Sequence, residues 1–215
     1  MKLSRKHYTA REVCTASCAA LLLLLLAANA GAGTRVVKSL LEMRHEHVVM
    51  QEWDLSCGAA ALTTLLNYQH GEQATEKEIA NALMRREEYV NNPDLIRSRE
   101  GFSLADLKRH ADARGYRGIG YGKLQLKDLV AKAPTIVSIK THGYNHFVIF
   151  RGMRGNRVLL ADSGWGNRTM PVDEFMQSWI DYPQLGRIGF VVQRRDGIAP
   201  PNQLVPREQD FVMLR

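Results

Sequence analysis

The stretch QEWDLSCGAAALTTLLNY, residues 51–68, decides how the rest of the chain is read. Gln51 to Ser56 are mixed in character and read as a loop. From Cys57 onward Ala and Leu recur at helical spacing, which predicts a buried helix over Cys57–Tyr68. Cys57 then stands at a helix N-terminus, where unpaired amide N–H groups and the positive end of the helix dipole stabilise a thiolate. The thiolate is the nucleophilic form of cysteine, so the position suits a reactive thiol as well as an inert one buried at a helix edge. Gly58 would leave room for a carbonyl group to approach the backbone. Gln51 could turn its carboxamide back to the helix start and, with the Cys57 backbone N–H, form an oxyanion hole. A solvated loop glutamine is the plain alternative.

Working outward, Thr75-Glu76-Lys77-Glu78 is a capping-box pattern that opens a second helix to about Glu88. Glu88–Gly101, with Asn91, Asn92 and Pro93, reads as a long loop. Ser103 caps a third helix that stops at Gly115. The second half changes character. Thr135–Lys140, Asn145–Phe150, Arg157–Ala161 and Ile188–Gln193 are short β-branched or aromatic segments parted by Gly, Pro or Asn, and a short helix over Val172–Ile180 interrupts them. Helices first and strands second imply an α+β fold, with N-terminal helices packed on a mostly antiparallel sheet. The tail from Asp196, with Pro200, Pro201 and Pro206, is expected to wrap loosely or to be disordered.

A base for Cys57 is expected on a strand facing the helix. His146 opens the apolar run His146–Phe150, with Val148 and Phe150 on its side of the sheet. His142, beside Gly143, falls in the turn before it, and a turn does not fix an imidazole as a strand does. Asp162 follows the next strand, close enough in an antiparallel pair to accept the His146 Nδ1–H and orient the ring; it could equally cap the turn Asp162-Ser163-Gly164. His45 and His47, two apart, would share one strand face, but no third ligand is in register for a metal. The glycines of Gly115–Gly122 lack the Lys-Ser/Thr end of a phosphate loop and the strand-helix frame of a dinucleotide site.

The N-terminus reads as an export signal. Lys2, Arg5, Lys6 and Arg11 precede the apolar run Cys18–Ala28, and Ala28-Asn29-Ala30 offers small residues for a signal peptidase. The run is shorter than the ~20 residues that span a bilayer, so a cleaved signal over 1–30 and a periplasmic location are expected, with a retained anchor as the alternative. Cleavage takes four basic residues and Glu12, lowering the formal charge from +7 to about +4. With Lys and Arg scattered, this argues against a nucleic-acid partner. Cleavage also removes Cys14 and Cys18. Cys57 is left as the one thiol of the exported chain, unavailable for a structural disulfide within it.

Gln51, Cys57-Gly58, the Ala-rich helix, His146-Phe147-Val148-Ile149 and Asp162 after one strand together resemble the C39 peptidases, papain-like cysteine peptidases best known for cutting leader peptides after a double glycine. The resemblance runs from about His45 to Gln193, within a domain drawn over 45–195 that follows a lead-in (31–44) and precedes the tail (196–215). It implies Cys57 as nucleophile, His146 as base, Asp162 as orienting residue and Gln51 in the oxyanion hole, with no cofactor. Family members often have Asp before the cysteine and Pro after the triad Asp, where this chain has Ser56 and Ser163. The best-known members are domains of membrane exporters; this chain is more similar to stand-alone periplasmic members, one of them associated with functional-amyloid secretion. The implied partner is a polypeptide substrate, with an amyloid fibre subunit or a secretion component as candidates. A non-catalytic peptide-binding module and an acyl or amide transferase are the rival readings of the same scaffold.

Overall fold

A computed structural model describes residues 38–207, 210 and 211. The expected signal over 1–30, with Cys14 and Cys18, lies outside the described residues, as do the first half of the lead-in and the end of the tail. Residues from Ser39 onward form one packing unit. Its elements are α1 (Leu40–His45), α2 (Cys57–Thr64), α3 (Glu76–Met84), α4 (Glu87–Asn91), α5 (Asp94–Ser98), α6 (Leu104–Ala113), β1 (Tyr116–Tyr121), α7 (Leu126–Lys132), β2 (Thr135–Thr141), β3 (Tyr144–Arg154), β4 (Arg157–Asp162), β5 (Gly166–Pro171), α8 (Val172–Ser178), β6 (Asp181–Tyr182), β7 (Gly186–Arg187) and β8 (Gly189–Arg194).

The helix at Cys57 forms as the Ala and Leu content predicts. All eight residues of α2 are buried, and the chain runs on as a π-helical turn over Leu65–Gln69. A helix this uniformly small and apolar has no polar face to turn to water, so it sits inside. Thr75 and Ser103 both cap their helices with reciprocal side-chain bonds, from Glu78 and Asp106. The second helix ends at Met84, short of Glu88, because Arg86 is extended. Glu88–Gly101 is not a plain loop. Buried Tyr89 and Ile96 anchor α4 and α5 there, and the Tyr89 hydroxyl donates to the buried Asp106 carboxylate at 2.5 Å. Such single anchors leave no periodicity to read.

The main sheet has six strands in the order β1-β8-β2-β3-β4-β5, all paired antiparallel. Its last strand in sequence, β8, is therefore an interior strand, inserted between β1 and β2. The glycine-rich segment Gly115–Gly122 is β1, and Gly118 explains its composition: a Cβ there would lie 3.1 Å from the Lys108 Cα of α6. Two apolar clusters cover the sheet. Leu62, Leu66, Ile79 and Leu107 pack with Ile149 and Ala161; Leu129, Phe175 and Trp179 pack with Val148, Phe150 and Leu160. Alternation along β3 divides its side chains between them, and each fully buried Leu or Phe contributes about 1.5–3 kcal/mol.

The tail is pinned where it was expected to be loose. Gln203 N–H donates to the Tyr68 carbonyl at 2.8 Å, and Leu204 is fully buried. The Arg151 guanidinium, itself buried, donates to the Leu204 carbonyl at 2.9 Å and to Asp210 Oδ2 at 2.7 Å. A buried charge needs a partner, and the returning tail brings Arg151 a carboxylate, beside Asn167 Oδ1 of β5, which also accepts from the guanidinium at 2.6 Å. Among the described residues no helix is long and apolar enough to cross a membrane.

Candidate active site

The loop before Cys57 is held from below. Glu76, the first residue of α3, is 5% exposed; its Oε2 accepts the Glu52 N–H at 2.9 Å, and its Oε1 lies 2.5 Å from the Ser56 hydroxyl. The same hydroxyl lies 2.6 Å from the Trp53 carbonyl oxygen. Turned that way, Ser56 does not cap α2, and the amide groups of the helix start are not spent on its side chain. Cys57 is buried at the first position of α2. A Cβ at Gly58 would lie 3.2 Å from the Phe147 ring, so the glycine lets α2 close on β3 beside His146.

His146 is the third residue of β3 and Asp162 the last of β4, which puts both at one end of the sheet. Asp162 pairs in register with Val148, so His146 is its diagonal neighbour on the same face, within side-chain reach. The ring bonds through Nε2, 2.7 Å from Asp162 Oδ1. The expectation of an Nδ1 contact is corrected: the diagonal register extends the far nitrogen of the ring to the carboxylate and leaves Nδ1 for the thiol. Asp162 is wholly buried, and three donors satisfy it: His146, the Gly164 N–H at 2.9 Å and Arg168 Nε at 2.8 Å.

Burial alone would lower the His146 pKa, but hydrogen bonding to Asp162 and then to Cys57, with the charges of both, outweighs it and raises the value to about 9. Burial pushes the Asp162 carboxyl up; the bond to His146, its charge, Arg168 and the Gly164 N–H together leave it below the usual carboxylate range. The favoured state is therefore an ionised carboxylate against an imidazolium that faces Cys57.

Gln51 completes the chain of contacts. Its Oε1 accepts the Ser163 hydroxyl at 2.9 Å, and its backbone N–H donates to the Ser163 carbonyl at 2.9 Å. The structure thus brings Gln51, Cys57, His146 and Asp162 together. It keeps the other histidines apart. His142 is exposed in the turn, against the Thr141 hydroxyl. His45 ends α1 and His47 lies in a turn with φ 58, so they do not share a strand face. Among the described residues no group of three or more His, Cys, Asp or Glu is placed to hold a metal.

Sequence reasoning missed Arg168, Glu76 and the loop at Glu100. The Glu100 carboxylate accepts the Asn145 N–H at 2.9 Å, and Gly101, with φ +122, leaves only 2.8 Å between a would-be Cβ and the Leu55 carbonyl. This loop ties the strand of His146 to the loop of Cys57. Two hollows flank it: about 410 Å³ beside Trp53, Ser56 and Met84, and about 530 Å³ beside His146, Asn145 and Tyr182, with Phe102 lining both. Glu76 was legible only as part of a capping box, and no local signal marks Arg168 or Glu100 as neighbours of the site.

The sequence profile of the Peptidase C39 family matches residues 45–183. The chain belongs to that family. The chain is similar to the "Probable functional amyloid protease FapD" of Pseudomonas aeruginosa, with 34% identity over 145 residues that cover 66% of this chain and 61% of that protein. Its namesake in Pseudomonas fluorescens is 33% identical over 172 residues, 74% of each chain. Two solved structures share the papain-like C39 fold. One is a double glycine motif protease from an AMS/PCAT transporter in complex with the leader peptide, with TM-score 0.53, 21% identity and coverage of 68% of this chain and 90% of that one. The other is the peptidase domain of Streptococcus ComA, with TM-score 0.54, 14% identity and coverage of 70% and 100%. The C39 match ends before β8, yet β8 joins β1 to β2 within the sheet.

Proposed function

We propose that this C39 chain is an exported, periplasmic cysteine peptidase that cuts a secreted protein or leader peptide during functional-amyloid biogenesis. The observation that carries the catalytic reading is His146, held at 2.7 Å by a buried Asp162 while it interacts with Cys57 at a helix N-terminus. The Cys57 thiolate attacks the scissile carbonyl, and the oxyanion is met by the Cys57 N–H and the Gln51 carboxamide. The His146 imidazolium gives its proton to the leaving amine, and water activated by the then neutral ring hydrolyses the acyl-enzyme. Asp162 keeps the ring oriented throughout. The amyloid context is supported by the names of the two Pseudomonas relatives, and export by the basic, apolar and Ala-Asn-Ala segments of the N-terminus.

The test is Cys57→Ala in the full chain. The wild type should cleave members of an internally quenched peptide library and restore fibre formation to a deletion strain of the source bacterium. The variant should do neither, while keeping the fold and the ability to bind peptide. Full complementation by Cys57→Ala would sink the enzymatic reading and leave a peptide-binding module.

A further inference from the structure

Gln51 and Ser163 stand far apart in sequence and meet at two points, the backbone bond and the hydroxyl bond, each 2.9 Å. Ser163 is 3% exposed, so its hydroxyl is sheltered from competing water. On the other side of the carboxamide, Gln51 Nε2 lies 3.4 Å from the Trp53 carbonyl oxygen. These two neighbours select one orientation of the amide. Turned over, Gln51 would set its own carbonyl oxygen against that of Trp53, acceptor against acceptor. In the selected orientation the NH₂ group points away from Ser163. Its contact at 3.4 Å is long for an N–H···O bond, which leaves donor capacity for a ligand.

We propose that Ser163 is a positioning residue whose hydroxyl holds the Gln51 carboxamide in donor geometry for the oxyanion. The inference rests on the reading of Gln51 as an oxyanion-hole donor. A glutamine has three side-chain torsions, and an unheld one spreads over several rotamers. Donor placement tolerates little of that spread. Ser163 also follows Asp162 directly, and the Gly164 N–H bonds Asp162 Oδ1 at 2.9 Å. One turn therefore orients the imidazole through its carboxylate and the oxyanion donor through its hydroxyl.

A double-mutant cycle on the full chain tests this, with an internally quenched peptide for turnover and iodoacetamide for the thiol. Gln51→Ala should lower kcat by on the order of 10²–10³. Ser163→Ala should lower kcat by roughly tenfold with KM little changed, as a donor drifts from its place. The double variant should be no slower than Gln51→Ala alone. Alkylation rates should match wild type in all three, because alkylation builds no oxyanion. Ser163→Gly, which removes the same hydroxyl with less bulk, should repeat the kinetics of Ser163→Ala, and thermal unfolding checks that each variant is folded. If Ser163→Ala slows the Gln51→Ala enzyme as much as it slows wild type, or if turnover and alkylation fall in parallel, Ser163 acts on the structure and the proposal is overturned. If Gln51→Ala alone leaves kcat unchanged, the oxyanion-hole reading fails first and takes this inference with it.

Discussion

Two wholly buried carboxylates, Asp162 and Asp210, are held by charged partners in the same molecule, and they are built for different ends. Asp162 bonds an imidazole, a backbone N–H and Arg168. Asp210 bonds the guanidinium groups of Arg151 and Arg207. Both satisfy the rule that a buried charge must be paired. The difference lies in the partner. A guanidinium keeps its proton at any ordinary pH and can only anchor, whereas an imidazole can take up and release one. Asp210 accordingly fastens the tail across Arg151, and Asp162 holds a ring whose proton can move toward a thiol or a leaving amine.

The sharpest way to break this contrast is at the ring. His146→Ala should abolish peptide turnover, a loss of at least about 10³-fold, with the fold intact by circular dichroism. His142→Ala should cost little. Reversed effects would show that the wrong histidine has been assigned. Next come the carboxylates themselves. Asp162→Ala should cut turnover by roughly 10²-fold, because the imidazole loses the group that orients it. Asp210→Ala should leave the per-molecule turnover of folded protein near wild type but lower unfolding stability by about 3–5 kcal/mol in urea titration, because it strands the Arg151 charge in the interior. If Asp210→Ala instead disabled folded enzyme, the tail would belong to the site.

The pH dependence separates the two pairs further. Folded His146 has a pKa raised from 6.5 to about 9. It therefore binds its proton more tightly folded than unfolded. Its contribution to stability should be fully present below about 6.5 and be lost as pH rises through about 9. Thermal unfolding temperature should fall over that window in wild type and fall less in His146→Gln. Turnover should decline above about 9 as the general acid is lost. The smallest effect is expected at Arg168, one of the groups that lower the Asp162 pKa. Arg168→Gln should reduce turnover only several-fold, yet move the acidic limb of the activity profile to higher pH, since Asp162 would then take up a proton more readily. An unmoved limb would mean that Arg168 only fills space.

What the sequence determined by itself was local. The buried helix from Cys57, the capping boxes at Thr75 and Ser103 and the strands around His146 and Asp162 all follow from residues within a few positions of one another, where periodicity and capping act. It was the resemblance to the C39 peptidases, and not those signals, that put Gln51, Cys57, His146 and Asp162 forward as a set. The tertiary structure decided the rest. The use of Nε2 and not Nδ1 depends on the diagonal register of β3 and β4. The partnership of Gln51 with Ser163, the support of Asp162 by Arg168, the packing of Phe147 over Gly58 and the seating of the tail on Arg151 join segments whose side chains carry no mark of their partners. Periodicity reports which face a side chain takes; it does not report which distant group waits there, because that is settled by the register and rotamers of the assembled sheet.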